Sequence, residues 1–186
     1  MNDKDLSISE NSSYIVFITG GTKSGKSEFA EHLAKQVKNL SYVALSEKNL
    51  DDKEWQEKIN LHRKRRPKDW KLIETYDLLK TLSIEDGPLL IDSIGGFVME
   101  NIGKAHNEWS TKMQSLISLL MKRKSLTYIV GEQVGWSLVS EYKIGNRYIE
   151  RIGELQKRIT KISRDNWLAI NGRAIKIDEI SLEIPT

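Results

Sequence analysis

The residues with the clearest chemical potential run from Gly20 to Ser27, read GGTKSGKS and match the spacing G-x-x-x-x-G-K-[ST]. Glycines let a backbone curl so that its N–H groups converge on phosphate oxygens, assisted by the positive end of a following helix. Lys26 would reach the outer phosphates of a nucleoside triphosphate, and the Ser27 hydroxyl would help to hold Mg²⁺. We therefore predict that Lys26 is catalytic, that Ser27 is a metal ligand, and that nucleotide is bound by Gly20, Gly21, Thr22, Lys23, Ser24, Gly25, Lys26 and Ser27.

The sequence on either side of this loop supports a phosphate site. Residues 14–18 (YIVFI) form an apolar run typical of a buried strand, and residues 28–35 (EFAEHLAK) are compatible with a helix. A glycine-rich turn that only joins a strand to a helix is the alternative. The complete motif in its strand–loop–helix context favours nucleotide binding.

Asp92 is a second candidate for chemistry, because it ends the apolar strand 89–92 (LLID) downstream of the loop. P-loop folds commonly place at this point the carboxylate that holds Mg²⁺, often through water. The alternative is that Asp92 caps a helix or turn, since Asp92-Ser93 precedes a glycine pair. We predict that Asp92 binds metal and nucleotide.

A third candidate is His62. Trp55, Ile59 and His62 lie at i, i+4 and i+7, on one face of a helix that Pro67 would end. The basic run Arg63–Arg66 follows directly, and cations beside an imidazole favour its neutral, nucleophilic form and also bind a triphosphate. Spacing alone nevertheless favours a half-buried structural histidine beside a solvated charge run. His32 and His106 have no such setting and are predicted to lie on the surface.

Composition narrows the class of protein. The chain of 186 residues suits one α/β domain, with a formal net charge of only +3 that gives no case for nucleic acid as the main partner. The absence of cysteine excludes disulfides and a cysteine nucleophile, and is compatible with a cytoplasmic location. No apolar stretch approaches membrane-spanning length, and the polar N-terminus is unlike a signal sequence. We predict a disordered tail over residues 1–13 and a single domain over 14–186.

Strand and helix signals alternate along this domain. Strands are predicted around residues 14–18, 42–45, 72–74, 89–92 and 126–130, and long amphipathic helices over 109–120 and 144–162. Apolar segments flank Asn171-Gly172, a sequence typical of a hairpin turn. The predicted fold is a mostly parallel sheet flanked by helices, with a C-terminal antiparallel hairpin. The phosphate loop after the first strand places the ligand at the carboxyl ends of the strands.

Several spaced motifs together resemble one known family. The loop GGTKSGKS is followed by YVALS, by His62, Arg66, Pro67, Trp70 and Glu74, by LLIDS with Asn101, and by Val134-Gly135. These motifs are similar to those of the adenosylcobinamide kinase / adenosylcobinamide-phosphate guanylyltransferase family of cobalamin biosynthesis. The resemblance runs from Tyr14 to Ile177, and the His-x-x-x-Arg-Pro-x-x-Trp-x-x-x-Glu spacing is its most specific part.

The resemblance implies a RecA-like P-loop fold, a cytoplasmic homo-oligomer, and two reactions. One phosphorylates adenosylcobinamide with ATP or GTP, and the other transfers GMP from GTP to that phosphate through a guanylylated histidine. By position, His62 matches the guanylylated residue. The resemblance therefore reverses the interpretation of His62 as a structural histidine, which spacing alone favours. The resemblance also implies nucleotide contacts by Ser46, Glu47, Lys48, Arg63, Lys64, Arg65, Arg66, Glu74 and Asp92. The implied partners are adenosylcobinamide and its phosphate, with Mg²⁺ as cofactor.

The chain departs from the family pattern at several positions. Asn-Glu-Val-Gly is replaced by residues 132–135 (EQVG), Phe-Arg-Asp by 148–150 (YIE), the following Asn-Gln by 156–157 (QK), and Asp-Cys-x-Thr by 92–95 (DSIG). These changes bear on the corrinoid site and the kinase half more than on the guanylyl half, and predict a weaker or altered kinase step. A P-loop kinase or NTPase of other substrate, a protein with only one of the two activities, and a non-catalytic nucleotide-binding protein remain alternatives.

Overall fold

The computed structural model describes residues 13–45, 67–136 and 140–185. Residues 1–12 of the predicted tail (1–13) and the segment from Ser46 to Arg66, which contains His62, lie outside the described residues. The elements in chain order are β1 (Ile15–Gly20), α1 (Lys26–Ala34), β2 (Ser41–Ala44), β3 (Lys71–Glu74), α2 (Leu78–Ile84), β4 (Leu89–Asp92), α3 (Gly95–Glu100), α4 (His106–Lys122), β5 (Thr127–Val130), α5 (Lys143–Ile162), β6 (Asp165–Ile170), β7 (Arg173–Lys176) and a 3₁₀ turn (Ile177–Glu179).

The strands form one seven-stranded sheet in the order β3-β2-β4-β5-β1-β6-β7. All neighbours are parallel except β6 and β7, which pair antiparallel. The prediction of a mostly parallel sheet with a C-terminal antiparallel hairpin is confirmed. The carboxyl ends of β1, β4 and β5 share one edge of the sheet, which we call the carboxyl edge.

The central strand β1 is buried on both faces, which explains its continuous apolar sequence. Val16 and Ile18 pack in the cluster that includes α1, whereas Ile15 and Phe17 pack in the cluster that includes α4 and α5. The sheet is therefore covered by α1 on one face and by the remaining long helices on the other. Within the described ranges, no helix combines the length and apolarity needed to cross a membrane.

Two short helices, α2 and α3, were not predicted. Asp77 caps α2 by accepting a hydrogen bond from the Lys80 N–H at 3.0 Å. Helix α3 begins at Gly95 and has no side-chain cap. Segments of six or seven residues are too short for a helical repeat to be distinguished from a buried loop, so packing against the rest of the fold decides them.

The hairpin turn matches the Asn171-Gly172 signal. Both residues have positive φ, 49° and 75°, as a two-residue turn with the handedness of the flanking strands requires. The Gly172 N–H donates to the Ser24 carbonyl at 3.0 Å, so the hairpin tip contacts the phosphate loop. The hairpin therefore supports the phosphate loop and also forms one side of the sheet.

Candidate functional site

The loop from Gly20 to Ser27 joins the carboxyl end of β1 to the first turn of α1. Gly25 has a φ of 92°, a conformation that favours glycine, and its carbonyl accepts the Phe29 N–H at 2.8 Å. A Cβ at Gly20 would collide with the Ala169 carbonyl and lie 2.6 Å from the Ser24 hydroxyl. Glycine is thus needed at both ends of the loop, by close approach at Gly20 and by backbone conformation at Gly25.

Lys26 and Ser24 suit this loop to phosphate. The Lys26 ammonium folds back over the loop and donates to the Gly21 carbonyl at 3.2 Å. The Ser24 hydroxyl is buried and has no hydrogen-bond partner among the described residues. An anionic ligand could accept hydrogen bonds from both groups, the Lys26 ammonium above the loop and the Ser24 hydroxyl within it.

The side chains of Ser27 and Asp92 contact each other at the carboxyl edge of the sheet. The Ser27 hydroxyl donates to one carboxylate oxygen of Asp92 at 3.2 Å, and the Tyr42 hydroxyl donates to the other at 2.6 Å. The structure therefore brings together the two residues predicted as metal ligands, from α1 and from the end of β4. Tyr42 is buried and fixes the orientation of the carboxylate.

This donor set fits Mg²⁺ when a nucleotide is bound. Mg²⁺ prefers oxygen ligands and is usually held by one or two carboxylates together with substrate phosphates and water. Within the described part of the chain, no group of three or more His, Cys, Asp or Glu side chains could hold a metal ion by itself. Ser27 and Asp92 would thus hold the ion only together with nucleotide oxygens.

The helix-capping alternative for Asp92 finds no support in the geometry. The N-cap residue of α3 is Ile94, without a side-chain cap hydrogen bond, and the Asp92 carboxylate accepts hydrogen bonds from the hydroxyls of Ser27 and Tyr42. The carboxylate points toward the loop instead of toward the amino end of α3. That orientation is compatible with the metal role, which remains a prediction.

Glu74 reaches the same edge as Asp92. Both residues lie in register with Ala44, Glu74 from β3 on one side of β2 and Asp92 from β4 on the other. Trp70, another residue of the spaced set, is buried in the cluster beneath α1. The further predicted nucleotide-binding residues fall outside the described ranges: Ser46, Glu47, Lys48, Arg63, Lys64, Arg65 and Arg66. His32 and His106 are exposed, as predicted.

Two residues at this edge, Tyr42 and Glu132, are not among the predicted site residues. From the sequence, Tyr42 is predicted only as part of a buried strand. A buried tyrosine hydroxyl generally requires a hydrogen-bond partner, and this requirement could have indicated its role. Glu132 was noticed only as a departure from a pattern. Its carboxylate accepts hydrogen bonds from the Ser93 hydroxyl and, at 2.7 Å, from the Tyr148 hydroxyl. Burial, and then the neighbouring Glu132 carboxylate, raise the pKa of Tyr148 far above its usual value, so the phenol remains a donor.

A cavity of about 410 Å³ adjoins the loop. It lies between the start of α1 and the β6–β7 hairpin, with Ser24, Gly25, Phe29 and Arg173 in its wall. Phe29 is itself held edge-to-face against Trp167, with ring centroids 5.1 Å apart. The loop therefore opens beside a partly apolar space bordered by a cation, a setting that suits part of a nucleotide.

Replacing Asp92 with asparagine is expected to raise the Mg²⁺ concentration for half-maximal activity by about 10- to 100-fold. The amide keeps the shape and can still bond both hydroxyls, whereas the negative charge at the metal is lost. Activity is measured across a magnesium titration, with thermal unfolding as a check on the fold. Tyr42→Phe, which keeps the carboxylate, serves as the milder control. Equal magnesium dependence in Asp92→Asn and the unmodified protein would reassign Asp92 to a structural role.

The fold and the loop together define a P-loop nucleotide-binding protein. The chain aligns with an ATPase of the type III secretion system of pathogenic bacteria at a TM-score of 0.52 and 12% identity, over 83% of this chain and 50% of that one. This likeness shows the fold alone. Residues 16–177 match the model of the cobinamide kinase / cobinamide phosphate guanyltransferase family, and the chain belongs to that family.

Curated relatives agree with this assignment. The chain is 26% identical over 181 residues to the bifunctional adenosylcobalamin biosynthesis protein CobU of Escherichia coli (strain K12), covering 88% of this chain and 99% of that protein. The protein of the same name from Salmonella typhimurium (strain LT2) matches with the same identity and coverage. The resemblance inferred from the sequence motifs is thereby confirmed at the level of the family.

Proposed function

We propose that this chain phosphorylates adenosylcobinamide with ATP or GTP and then transfers GMP from GTP to the resulting phosphate, through a guanylylated His62. The observation that carries the proposal is the contact between the loop hydroxyl of Ser27 and the Asp92 carboxylate, in a chain that matches the family over residues 16–177. Pure nucleotide binding does not require such a metal-holding pair, which argues against the non-catalytic alternative.

The phosphate loop would serve both reactions. Its backbone N–H groups and Lys26 would bind the phosphates and offset the charge that develops when a phosphoryl group leaves. When bound by Ser27 and Asp92, Mg²⁺ would neutralise charge on the nucleotide oxygens. The nucleotide would lie at the carboxyl edge, where Glu74 also ends its strand.

The transfer reaction would use His62 as a nucleophile. Neutral imidazole would attack the α-phosphorus of GTP and expel pyrophosphate, which divides one difficult transfer into two easier steps. The basic run Arg63–Arg66 would stabilise the developing charge, with further nucleotide contacts from Ser46, Glu47 and Lys48. A cytoplasmic location and a homo-oligomeric state are part of the same proposal.

A product assay tests this function directly. The purified protein is incubated with ATP, GTP and Mg²⁺, with and without adenosylcobinamide, and the corrinoid products are identified by mass spectrometry. We expect adenosylcobinamide phosphate with ATP alone and the GDP-linked corrinoid when GTP is present. Nucleotide hydrolysis without any modified corrinoid would favour a P-loop kinase or NTPase of other substrate. Formation of only one of the two products would leave a protein with a single activity.

A further inference from the structure

Glu132 occupies the centre of the carboxyl edge. Strand β5 lies between β1, which carries the phosphate loop, and β4, which carries Asp92. Its last residue, Val130, is in register with Ile18 of β1 and with Asp92 of β4. Glu132 follows two residues later, so its main chain leaves the sheet between the strand that carries the loop and the strand that carries the proposed metal ligand.

Hydrogen bonds hold both the main chain and the side chain of Glu132. Its carbonyl accepts from the Gln156 amide at 3.1 Å, and the next N–H, that of Gln133, donates to the Gly20 carbonyl at 2.9 Å. The carboxylate is held by Ser93, which directly follows Asp92, and by Tyr148 of α5. Its direction is therefore set from β4 on one side and from α5 on the other.

The absence of a side chain at Gly95 leaves room for the Glu132 carboxylate. A Cβ at Gly95 would collide with the carboxylate of Glu132 and with the hydroxyl of Tyr148. Among the described residues, the hydrogen-bond partners of the Glu132 carboxylate are neutral hydroxyls and no cation pairs with it. Each carboxylate oxygen keeps a further lone pair, because an ionised carboxylate can accept about four hydrogen bonds.

The neighbouring Gln133 side chain points elsewhere. Its amide donates to the Thr19 hydroxyl at 3.1 Å, and that hydroxyl donates to Gln156 at 3.1 Å. The Gln133 side chain is thus bonded to β1, whereas the Glu132 carboxylate is bonded to Ser93 and to Tyr148 of α5. Of these two adjacent residues, Glu132 is therefore the one whose side chain contacts Ser93, the residue that directly follows Asp92.

We propose that Glu132 is the general base of the phosphoryl-transfer step and accepts the proton of the acceptor alcohol. This inference rests on the proposed kinase activity. The alcohol O–H proton passes to the Glu132 carboxylate, and the alcohol oxygen forms a bond to the γ-phosphorus of the nucleotide. The bond from that phosphorus to the β–γ bridging oxygen breaks, and the nucleoside diphosphate leaves with the electron pair. A carboxylate performs the same task for hydroxyl acceptors in protein kinases.

The test uses Glu132→Gln in the full chain, because glutamine keeps the shape and can still bond Ser93 and Tyr148 but cannot accept the proton. Phosphorylation of adenosylcobinamide by ATP is expected to lose about 10²- to 10⁴-fold in kcat. The KM for ATP and GMP transfer to directly supplied adenosylcobinamide phosphate are expected to stay within a few-fold of the unmodified values. Undiminished phosphorylation by Glu132→Gln would overturn the inference while leaving the proposed function intact. An unmodified protein without kinase activity would overturn both.

Two further variants separate a base from a residue that only positions others. Tyr148→Phe removes one hydrogen bond to Glu132 and leaves the carboxylate, so its loss of kcat is expected to stay below about tenfold. A loss as large as that of Glu132→Gln would make the cluster a positioning device and overturn the inference. The exchange Glu132→Gln with Gln133→Glu preserves composition and net charge. It should remain as slow as Glu132→Gln, because position 133 faces Thr19; recovery of the rate would also count against Glu132.

Discussion

Replacing Lys26 with alanine is expected to reduce nucleotide turnover by at least about 10²- to 10³-fold, the loss typical when one group that stabilises transition-state charge is removed. The Lys26 ammonium lies across the phosphate loop, 3.2 Å from the Gly21 carbonyl. From this position it could stabilise the negative charge that develops on a leaving phosphate. Turnover of ATP and GTP at saturating Mg²⁺ is the measurement. The fold should be unaffected, with a change in the free energy of unfolding of about 1 kcal/mol or less.

A matched control for this variant lies at the C-cap of the same helix. Lys35→Ala removes the same charge at the other end of α1, where the side chain is exposed and distant from the loop. We expect Lys35→Ala to turn over nucleotide at the unmodified rate. Unchanged turnover in Lys26→Ala would mean that the loop is not the active nucleotide site.

Replacing His62 with alanine is expected to abolish covalent labelling of the protein by GTP that carries the label on its α-phosphate. Attack by the imidazole on that phosphorus would leave GMP on the ring as a phosphoramidate, which is stable to base and labile to acid. Labelling is measured after denaturation, with acid and base treatment and peptide mapping. The stability pattern separates a histidine adduct from one on serine or on a carboxylate.

The chain supplies its own controls for this experiment, because it contains three histidines. His32 and His106 are exposed at the last turn of α1 and the first residue of α4, away from the spaced motif. His32→Ala and His106→Ala should both keep the label. Label that persists in His62→Ala, or that never forms on the unmodified protein, would defeat the guanylyltransferase half of the proposed function.

The sequence was most informative where local chemistry and local structure coincide. The phosphate loop could be predicted because its glycines, lysine and serine are contiguous, and because a strand and a helix adjoin it. The strands could be predicted because burial on both faces requires a continuous apolar run, as in β1 and β4. The hairpin turn could be predicted because few residues adopt positive φ as readily as Asn171 and Gly172.

The sequence could not show which distant side chains meet. Tyr42 and Asp92 are fifty residues apart and hydrogen-bond because β2 and β4 are neighbours in the sheet. The family pattern marked Glu132 and Tyr148 as substitutions, without indicating that they contact each other. Short helices such as α2 and α3 also depend on packing, since a helix of one or two turns has little stability of its own.

By itself, the sequence determined the class of this protein: a P-loop nucleotide-binding chain with a parallel sheet and an antiparallel C-terminal pair, in a recognisable family. Only the tertiary structure decided that β5 separates the loop strand from the strand of Asp92, and that Glu132 therefore emerges between them. Motifs are local, and a contiguous run of residues is sufficient to encode them. Strand order depends on how whole elements pack, and it brings Asp92 and Glu132, which are distant in sequence, to the same edge of the sheet.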